Sequence, residues 1–406
     1  MNLKSNYIFK GRFGLERETL RVDNLGRLSH TPHPFPDDEH LDRDFCENQL
    51  ELITPVCDSI DSLMTALHEL DIKAKKGVRA INEYLWMNSN PPHFETEKDI
   101  PIAEFGGKLS FKHDYRLKLK HRYGKRLMLY SGIHFNFSFD ERFIRELYAA
   151  VGQGDYKKFK TDLYFRLSKQ VARYSWLLVL LTAASPVYDK SLDGNGLSGT
   201  GFCGVSSLRS SERGYWNRFI PALDYSSLES YISSIYGYIE DGSLFAPGEL
   251  YLPVRLKPPG SNSIEHLIER GVDHIELRMF DVNPLTPLGI YRSDLEFAHY
   301  YLLYLLQLPD FEFTPELQAQ AVRNHKGAAM YDLTDITIND YPAIDAGLGL
   351  LDDMSEYFKD CPEVIRSIDL EKRKLESGNR YCERVYDALS DNYQENMLNI
   401  SRNNSE

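Results

Sequence analysis

Glu16 and Glu18 in GLERETLRV stand two residues apart, a spacing that puts both carboxylates on one face of a β-strand and Leu15, Arg17 and Thr19 on the other. Two carboxylates on one face repel, and in a dry core they need a cation or a proton to neutralise them. The same alternation in SGIHFNFSF sets Ile133, Phe135, Phe137 and Phe139 against His134, Asn136 and Ser138. In VDHIELRMF it pairs Glu276 with Arg278, and in RDFCENQLELITP it puts Glu47, Gln49 and Glu51 together. Asp44 lies an odd number of residues from Glu51, so it joins them only from an entering loop or beyond a bulge. If these four strands are neighbours, their polar faces pool Glu16, Glu18, Glu51, His134, Glu276 and Arg278, with Asp44 nearby. That is an oxygen-rich cage with one imidazole, suited to a hard divalent cation of the magnesium type that shares its coordination with phosphate oxygens. The alternative is that each polar face looks at solvent, as antiparallel sheets often do.

Those faces exist only if the segments carrying them are strands. Period-two alternation bounded by turn-forming residues predicts strands over Arg12 to Val22, Cys46 to Ile53, Leu127 to Phe139, Gly248 to Arg255 and Val272 to Phe280. Apolar residues three to four apart predict helices over Ser59 to Tyr84, capped by Asp58 or Ser59, over Phe159 to Ala184 and over Leu288 to Leu306. Much of the chain after Thr314 reads the same way. From about Asp352 it resembles helices packed on the outside, ending in a frayed SRNNSE. Strands and helices follow no regular alternation, which gives an α+β class with a largely antiparallel sheet. Without an internal repeat or a long linker, one domain over 1–406 is the simplest division, helical from about residue 310.

Composition removes several classes. With 42% hydrophobic and 26% charged residues, the chain fits a water-soluble globular protein rather than a disordered or membrane one. A net charge of -13 opposes binding to nucleic acid and to anionic membrane surfaces, so any anionic ligand must be held locally by metal ions or a few arginines. Cys46, Cys57, Cys203, Cys361 and Cys382 are scattered with no CxxC pair, which predicts a reducing, cytoplasmic setting. The N-terminus has no apolar core of signal-peptide length, and the longest apolar run, Trp176 to Ala184, reads as a buried helix too short to span a bilayer.

Gly194, Gly196 and Gly199 in GNGLSG match the letters of a dinucleotide fingerprint, but that motif needs a strand before it and a helix opening after it. Here the run follows Pro186 and Asp189 and leads into more glycine, which predicts a loop. No lysine-tipped phosphate loop is present in the sequence.

Taken in order, the strings GLERETLRV, DFCENQLELITP, SGIHFNFS, SLRSSERGYWN, ELYLPVR and IELRMFDVNPLTPLGI resemble the bacterial glutamate-cysteine ligases from about Gly14 to Ile290. After about Arg323 the resemblance is weak. It implies a glutamine-synthetase-like fold, in which a curved, mainly antiparallel sheet forms a funnel-shaped active site with helices packed outside. It implies Mg2+ as cofactor, with Mn2+ as a substitute, held by Glu16, Asp44 and Glu51 in one set and Glu18, His134 and Glu276 in the others. It also implies a cysteine pocket made by Phe45, Tyr115, Leu119, Arg209, Tyr215 and Tyr251, with Arg209 pairing a carboxylate.

The implied activity is ATP-dependent ligation of the L-glutamate γ-carboxylate to the amine of L-cysteine through a γ-glutamyl phosphate, the first step of glutathione biosynthesis. Arg278, beside Glu276, would stabilise the acyl phosphate or its tetrahedral successor. Arg43 and Cys46 depart from the smaller polar residues expected in the DFCEN motif and bear on acceptor breadth. The alternatives are a γ-glutamyl ligase with another amine acceptor, a non-catalytic nucleotide-binding homologue, and a metal-dependent hydrolase.

Overall fold

Strand β1 (Gly11–Val22) is the longest in a seven-stranded sheet and pairs with three neighbours, each antiparallel. The structure is a computed structural model that describes residues 5–105, 107, 110–152, 154–194 and 197–405. Beside β1 run β2 (Leu41–Arg43), β3 (Gln49–Ile53), β4 (Tyr84–Trp86) and β5 (Gly132–Phe139). A separate pair, β6 (Val187–Asp189) and β7 (Thr200–Phe202), precedes β8 (Val254–Lys257) and β9 (His274–Asp281). The main sheet has the order β2-β3-β1-β5-β9-β8, with β4 also paired to β1 and every pairing antiparallel. With twelve α-helices among the described residues, the class is α+β.

The apolar face follows from the alternation. Phe13, Leu15, Ile133, Phe135, Phe137, Ile275 and Leu277 are buried together against helices α1 (Ile60–Ala80), α4 (Tyr156–Thr182) and α7 (Arg292–Gln307). Helices α2 (Ser110–Tyr123) and α3 (Glu141–Val151) come between α1 and α4, and α5 (Leu228–Glu240) and α6 (Ile264–Arg270) between α4 and α7. Each buried Leu or Phe contributes about 1.5–3 kcal/mol. Two buried arginines of β1, Arg17 and Arg21, share the parity of this face. Arg17 is 0% exposed, and its Nη2 meets Asp71 of α1 at 2.6 Å while Nη1 donates to the Leu288 carbonyl at 3.1 Å. Losing one partner of such a buried pair costs about 3–5 kcal/mol.

Ser59 caps α1, accepting the Ser62 amide at 3.1 Å in a capping box. Three expected strands are shorter than the alternation suggests. β3 starts at Gln49 because its amide closes a turn on the Cys46 carbonyl at 3.0 Å. Leu127–Leu129 and Pro247–Glu249 are 3₁₀ turns, the latter opened by a proline, which supplies no ladder donor.

The C-terminal helices are α8 (Pro315–Ala328), α9 (Ala343–Tyr357), α10 (Pro362–Glu376), α11 (Tyr381–Leu389) and α12 (Tyr393–Asn403). The last two are more than an outer layer. Tyr393 and Met397 are buried in a second core with Trp86 and Val22, and the Tyr393 hydroxyl donates to the Asn90 carbonyl at 2.7 Å. The expected fraying of SRNNSE is absent through Asn403, because Ser401 is buried and Arg402 Nη2 donates to the Asn24 carbonyl at 2.7 Å.

Of GNGLSG, Asn195 and Gly196 lie outside the described residues. Gly194 closes a short 3₁₀ turn in the left-handed region at φ 79°, and the chain then runs from Gly199 into β7 rather than opening a helix, so the dinucleotide geometry is not formed. The five cysteines are free thiols. No helix among the described residues is long and apolar enough to cross a membrane.

Candidate active site

The polar face of the sheet is built by register. Glu16 lies opposite His134 across β1 and β5, and Glu18 lies opposite Glu51 across β1 and β3. Between β5 and β9 the pairing shifts: Ile133 faces Phe280 while Phe135 faces Leu277, which leaves one extra residue on β9 in the stretch carrying Arg278. Such a bulge re-aims a side chain. Asp44 enters from the turn between β2 and β3, its amide donating to the Gln49 carbonyl at 3.1 Å, which resolves the parity conflict with Glu51. Glu47 does not join them, because it sits in that turn and its carboxylate binds Arg43 at 2.8 Å.

Every site residue singled out in the sequence lines one cavity of about 220 Å³. Glu16, Glu18, Asp44 and Glu51 supply its acidic side. Two trios hold carboxylate and imidazole atoms within 4.8 Å of one another, Glu16 with His134 and Glu276, and Glu18 with Glu51 and His134. His134 stands between them, Nδ1 3.3 Å from Glu16 and Nε2 3.7 Å from Glu18. The grouping implied by the resemblance set Glu16 with Asp44 and Glu51. Cross-strand register puts Glu16 opposite His134, and Asp44 and Glu51 line the same cavity as Glu16.

The electrostatics mark a site short of positive charge on this side. Burial, with Asp44 adding to it, pushes Glu18 up to about 8 despite Arg209, Arg278 and the Gly132 amide. Burial and the surrounding Glu16, Asp44 and Glu18 push Glu51 well above the carboxylate range. Burial is the largest single influence on Glu16 and raises it, but the His134 hydrogen bond together with the charges of Lys257 and His134 leaves the carboxyl below its ordinary range. Burial, then Arg278, lowers His134, which favours the neutral imidazole a metal needs. Glu276 is 0% exposed and, against its burial, is held well down by Arg278, Lys257 and Arg255. Its Oε1 accepts a hydrogen bond from Arg278, while its Oε2 accepts none although Lys257 Nζ lies beside it. Oxygen-rich donors, one imidazole and a buried carboxylate oxygen outside any hydrogen bond fit a hard dication.

The other side of the cavity is aromatic and basic. Tyr215 and Tyr251 pack with their rings tilted by 43°, centroids 4.1 Å apart and hydroxyls at 3.1 Å, beside Phe45, Tyr115 and Leu119. Tyr115 and Leu119 ride on α2, which Arg116 ties to the Asp44 carbonyl through Nε at 2.7 Å. Buried Glu249 holds the far end, accepting from Arg122 Nη1 at 2.6 Å and from the Tyr123 hydroxyl at 2.9 Å. Arg209 Nη1 donates to the Phe280 carbonyl at 3.0 Å. Arg43 and Cys46 lie outside the cavity. Arg43 packs on Phe105, 4.4 Å from its ring centroid, and Cys46 is fully buried in the second core.

The sequence reading missed Arg116, Met128, Tyr130, Arg255 and Lys257, which also line the cavity. Arg255 and Lys257 carried a usable signal, standing two apart on β8 with Arg255 opposite Glu276.

The sequence model of the glutamate-cysteine ligase family matches residues 1–327. The glutathione biosynthesis bifunctional protein GshAB of Listeria monocytogenes is 41% identical over 393 residues, covering 90% of this chain and 50% of that protein. GshAB of Clostridium perfringens is 34% identical over 423 residues, covering 97% of this chain and 53% of its own length. The chain thus spans about half the length of these relatives. Among solved structures, the glutamate-cysteine ligase of Francisella tularensis, in complex with AMP, superposes with a TM-score of 0.85 at 26% identity, covering 98% of this chain and 88% of that one. The bifunctional glutathione synthetase of Pasteurella multocida superposes with a TM-score of 0.86 at 25% identity, over 98% of this chain and 53% of that one. On the family match and on the site its motifs build, the chain belongs to the glutamate-cysteine ligase family.

Proposed function

We propose that this chain joins the γ-carboxylate of L-glutamate to the amine of L-cysteine at the expense of ATP, giving γ-glutamylcysteine, ADP and phosphate, the first step of glutathione biosynthesis. The observation that carries this reading is the two-sided cavity, with a carboxylate and imidazole cage facing an arginine and tyrosine pocket. The first suits a metal-bound polyphosphate, the second an amino acid. The relatives' names, and the AMP bound by the Francisella enzyme, support it. A cleft of about 350 Å³ along Gly14, Asn136, Ser138 and His274 shares Glu16 with the cavity and offers room for the rest of a nucleotide.

An amine does not displace oxide from a carboxylate, so the acid must first become an acyl phosphate. A γ-carboxylate oxygen attacks the terminal phosphorus of ATP as the bond to the bridging oxygen breaks and ADP leaves. The amine nitrogen, as the free base, then attacks the acyl carbon, phosphate departs with one former carboxylate oxygen, and the proton the nitrogen sheds passes to the departing phosphate or to solvent. Mg2+, for which Mn2+ can stand in, would be held by Glu16, Glu18, Asp44, Glu51, His134 and Glu276 and would supply neutralisation of the phosphoryl oxygens. Arg278 donates toward charge developing at the acyl centre, and Arg209 orients the acceptor's α-carboxylate. Phe45, Leu119, Tyr115, Tyr215 and Tyr251 exclude water that would hydrolyse the acyl phosphate.

In this reading the sheet forms the wall of a funnel, the chain works as one catalytic domain whose helical part from about residue 310 is integral to it, and the free thiols suit a reducing cytoplasm. Since Arg43 and Cys46 lie outside the cavity, they give no ground for a different acceptor. Glutamate labelled with 18O in its γ-carboxylate tests the acyl phosphate. One label per turnover should appear in the phosphate released, and unlabelled phosphate would sink the mechanism.

A further inference from the structure

Glu276 stands where two demands conflict. It belongs to the Glu16, His134 and Glu276 trio, yet cations already face both of its oxygens. Arg278 Nη1 donates a hydrogen bond to Oε1, and Arg255 Nη1 lies 3.8 Å from the same oxygen. Lys257 Nζ lies against Oε2, but no hydrogen bond is aligned on that oxygen. Lys257 thus holds Oε2 as an ion pair without a hydrogen bond to it, and a dication would compete with the ammonium for that oxygen.

Of the three cations, Lys257 is the one built to move. It sits at the last position of β8, an edge strand of the sheet, and carries a compact ammonium on a flexible four-carbon stem. Arg255, by contrast, also donates through Nη2 to the Gly248 carbonyl at 3.2 Å. Arg278 holds Oε1 with a rigid guanidinium. Once a dication takes Oε2, repulsion pushes the ammonium away from Glu276, and the cavity it lines is where anionic substrate oxygens would arrive.

We propose that Lys257 is an exchangeable counter-ion: it neutralises Glu276 before the divalent cation binds, yields Oε2 to that cation, and then holds phosphate oxygens of the nucleotide. Metal loading and nucleotide binding are coupled through this one side chain. The proposal rests on the reading of Glu276 as a metal ligand.

The test compares the wild type with Lys257→Met and Glu276→Gln, using Mn2+ alone and then a non-hydrolysable β,γ-imido analogue of ATP at saturating Mn2+. Mn2+ binding is read by the electron paramagnetic resonance of the free ion and analogue binding by calorimetry. Lys257→Met should bind Mn2+ about tenfold more tightly and the analogue about tenfold more weakly, the scale of one contact to a charged group. A fold defect cannot move the two affinities in opposite directions. If Lys257→Met folds poorly, Lys257→Gln takes its place with the same expectation. Glu276→Gln should weaken Mn2+; an unchanged Mn2+ affinity there would overturn the ligand reading itself. If Glu276→Gln weakens Mn2+ while the Lys257 variant leaves either affinity unchanged, or shifts both in one direction, the counter-ion role is overturned and the ligand reading stands.

Discussion

Gly132 donates its amide hydrogen to Glu18 Oε2 across 2.7 Å. A side chain at Gly132 would also collide with Arg209, whose Nη2 lies 2.2 Å from where a Cβ would stand. One glycine at the start of β5 thus serves both sides of the cavity. Gly132→Ala keeps the amide but displaces the guanidinium. The KM for cysteine should rise about tenfold or more, since small misplacements of positioning groups are costly, while the thermal midpoint changes little. An unchanged KM in steady-state assays would show that Arg209 does not hold the acceptor.

Glu18 faces Glu51 directly across β1 and β3, and Glu16, Asp44 and Asp42 add to the repulsion at Glu51. Glu51→Gln relieves that repulsion, so without metal its thermal midpoint should exceed the wild type's. The same change should abolish the stabilisation that Mg2+ gives the wild type and cut turnover by about 100-fold. A thermal melt with and without Mg2+ checks both, and an equal Mg2+ response in the two proteins would rule out Glu51 as a ligand.

Arg209 is assigned to a carboxylate because a guanidinium fork binds one through two parallel hydrogen bonds. Arg209→Lys retains the charge but loses the fork. The KM for cysteine should rise about tenfold, with a smaller effect on the KM for ATP. Equal effects on both substrates would indicate a general structural role.

A second acidic pair lies far from the cavity. Lys374 Nζ meets Asp294 at 3.1 Å and Glu371 at 2.8 Å, joining α10 to α7, so two buried acids share one ammonium. Burial outweighs Lys374 and raises Glu371 to about 7. Because the folded value lies above the unfolded one, this group's favourable contribution is full below about pH 4.5 and is lost as pH rises to about 7. Glu371→Gln, which mimics the protonated acid and leaves Lys374 paired with Asp294, should be more stable than the wild type at pH 8, by on the order of 1–3 kcal/mol. Denaturant midpoints at pH 5 and pH 8 measure this; a variant less stable at both would show that Glu371 is ionised in the fold.

The metal-type cage was legible because strand alternation is a local rule. Glu16, Glu18, His134 and Glu276 fall on one face wherever β1, β5 and β9 lie side by side. Asp44 was not, since a turn carries it in and no period describes a turn. Helix α2 was invisible for a different reason. Its buried residues are Arg116 and Leu119, so there is no apolar stripe to read, and its place is set by Arg116 on a distant carbonyl and by Glu249. Tyr215, Tyr251 and Arg209 lie outside named helices and strands and became visible only through family motifs. Arg255 and Lys257 obey the alternation rule, but the strand expected over Gly248 to Arg255 ends before Lys257, while β8 runs from Val254 to Lys257.

The two sides of the cavity impose a two-substrate requirement: the cage activates glutamate, and the aromatic pocket admits cysteine as the acceptor. ADP release from the purified chain with ATP, Mg2+ and L-glutamate, measured with and without L-cysteine, tests it most directly. Release should be slow without cysteine and rise saturably when cysteine is added, with γ-glutamylcysteine formed in equal amount. Release that is indifferent to cysteine, or faster with a bulky amine, would contradict it.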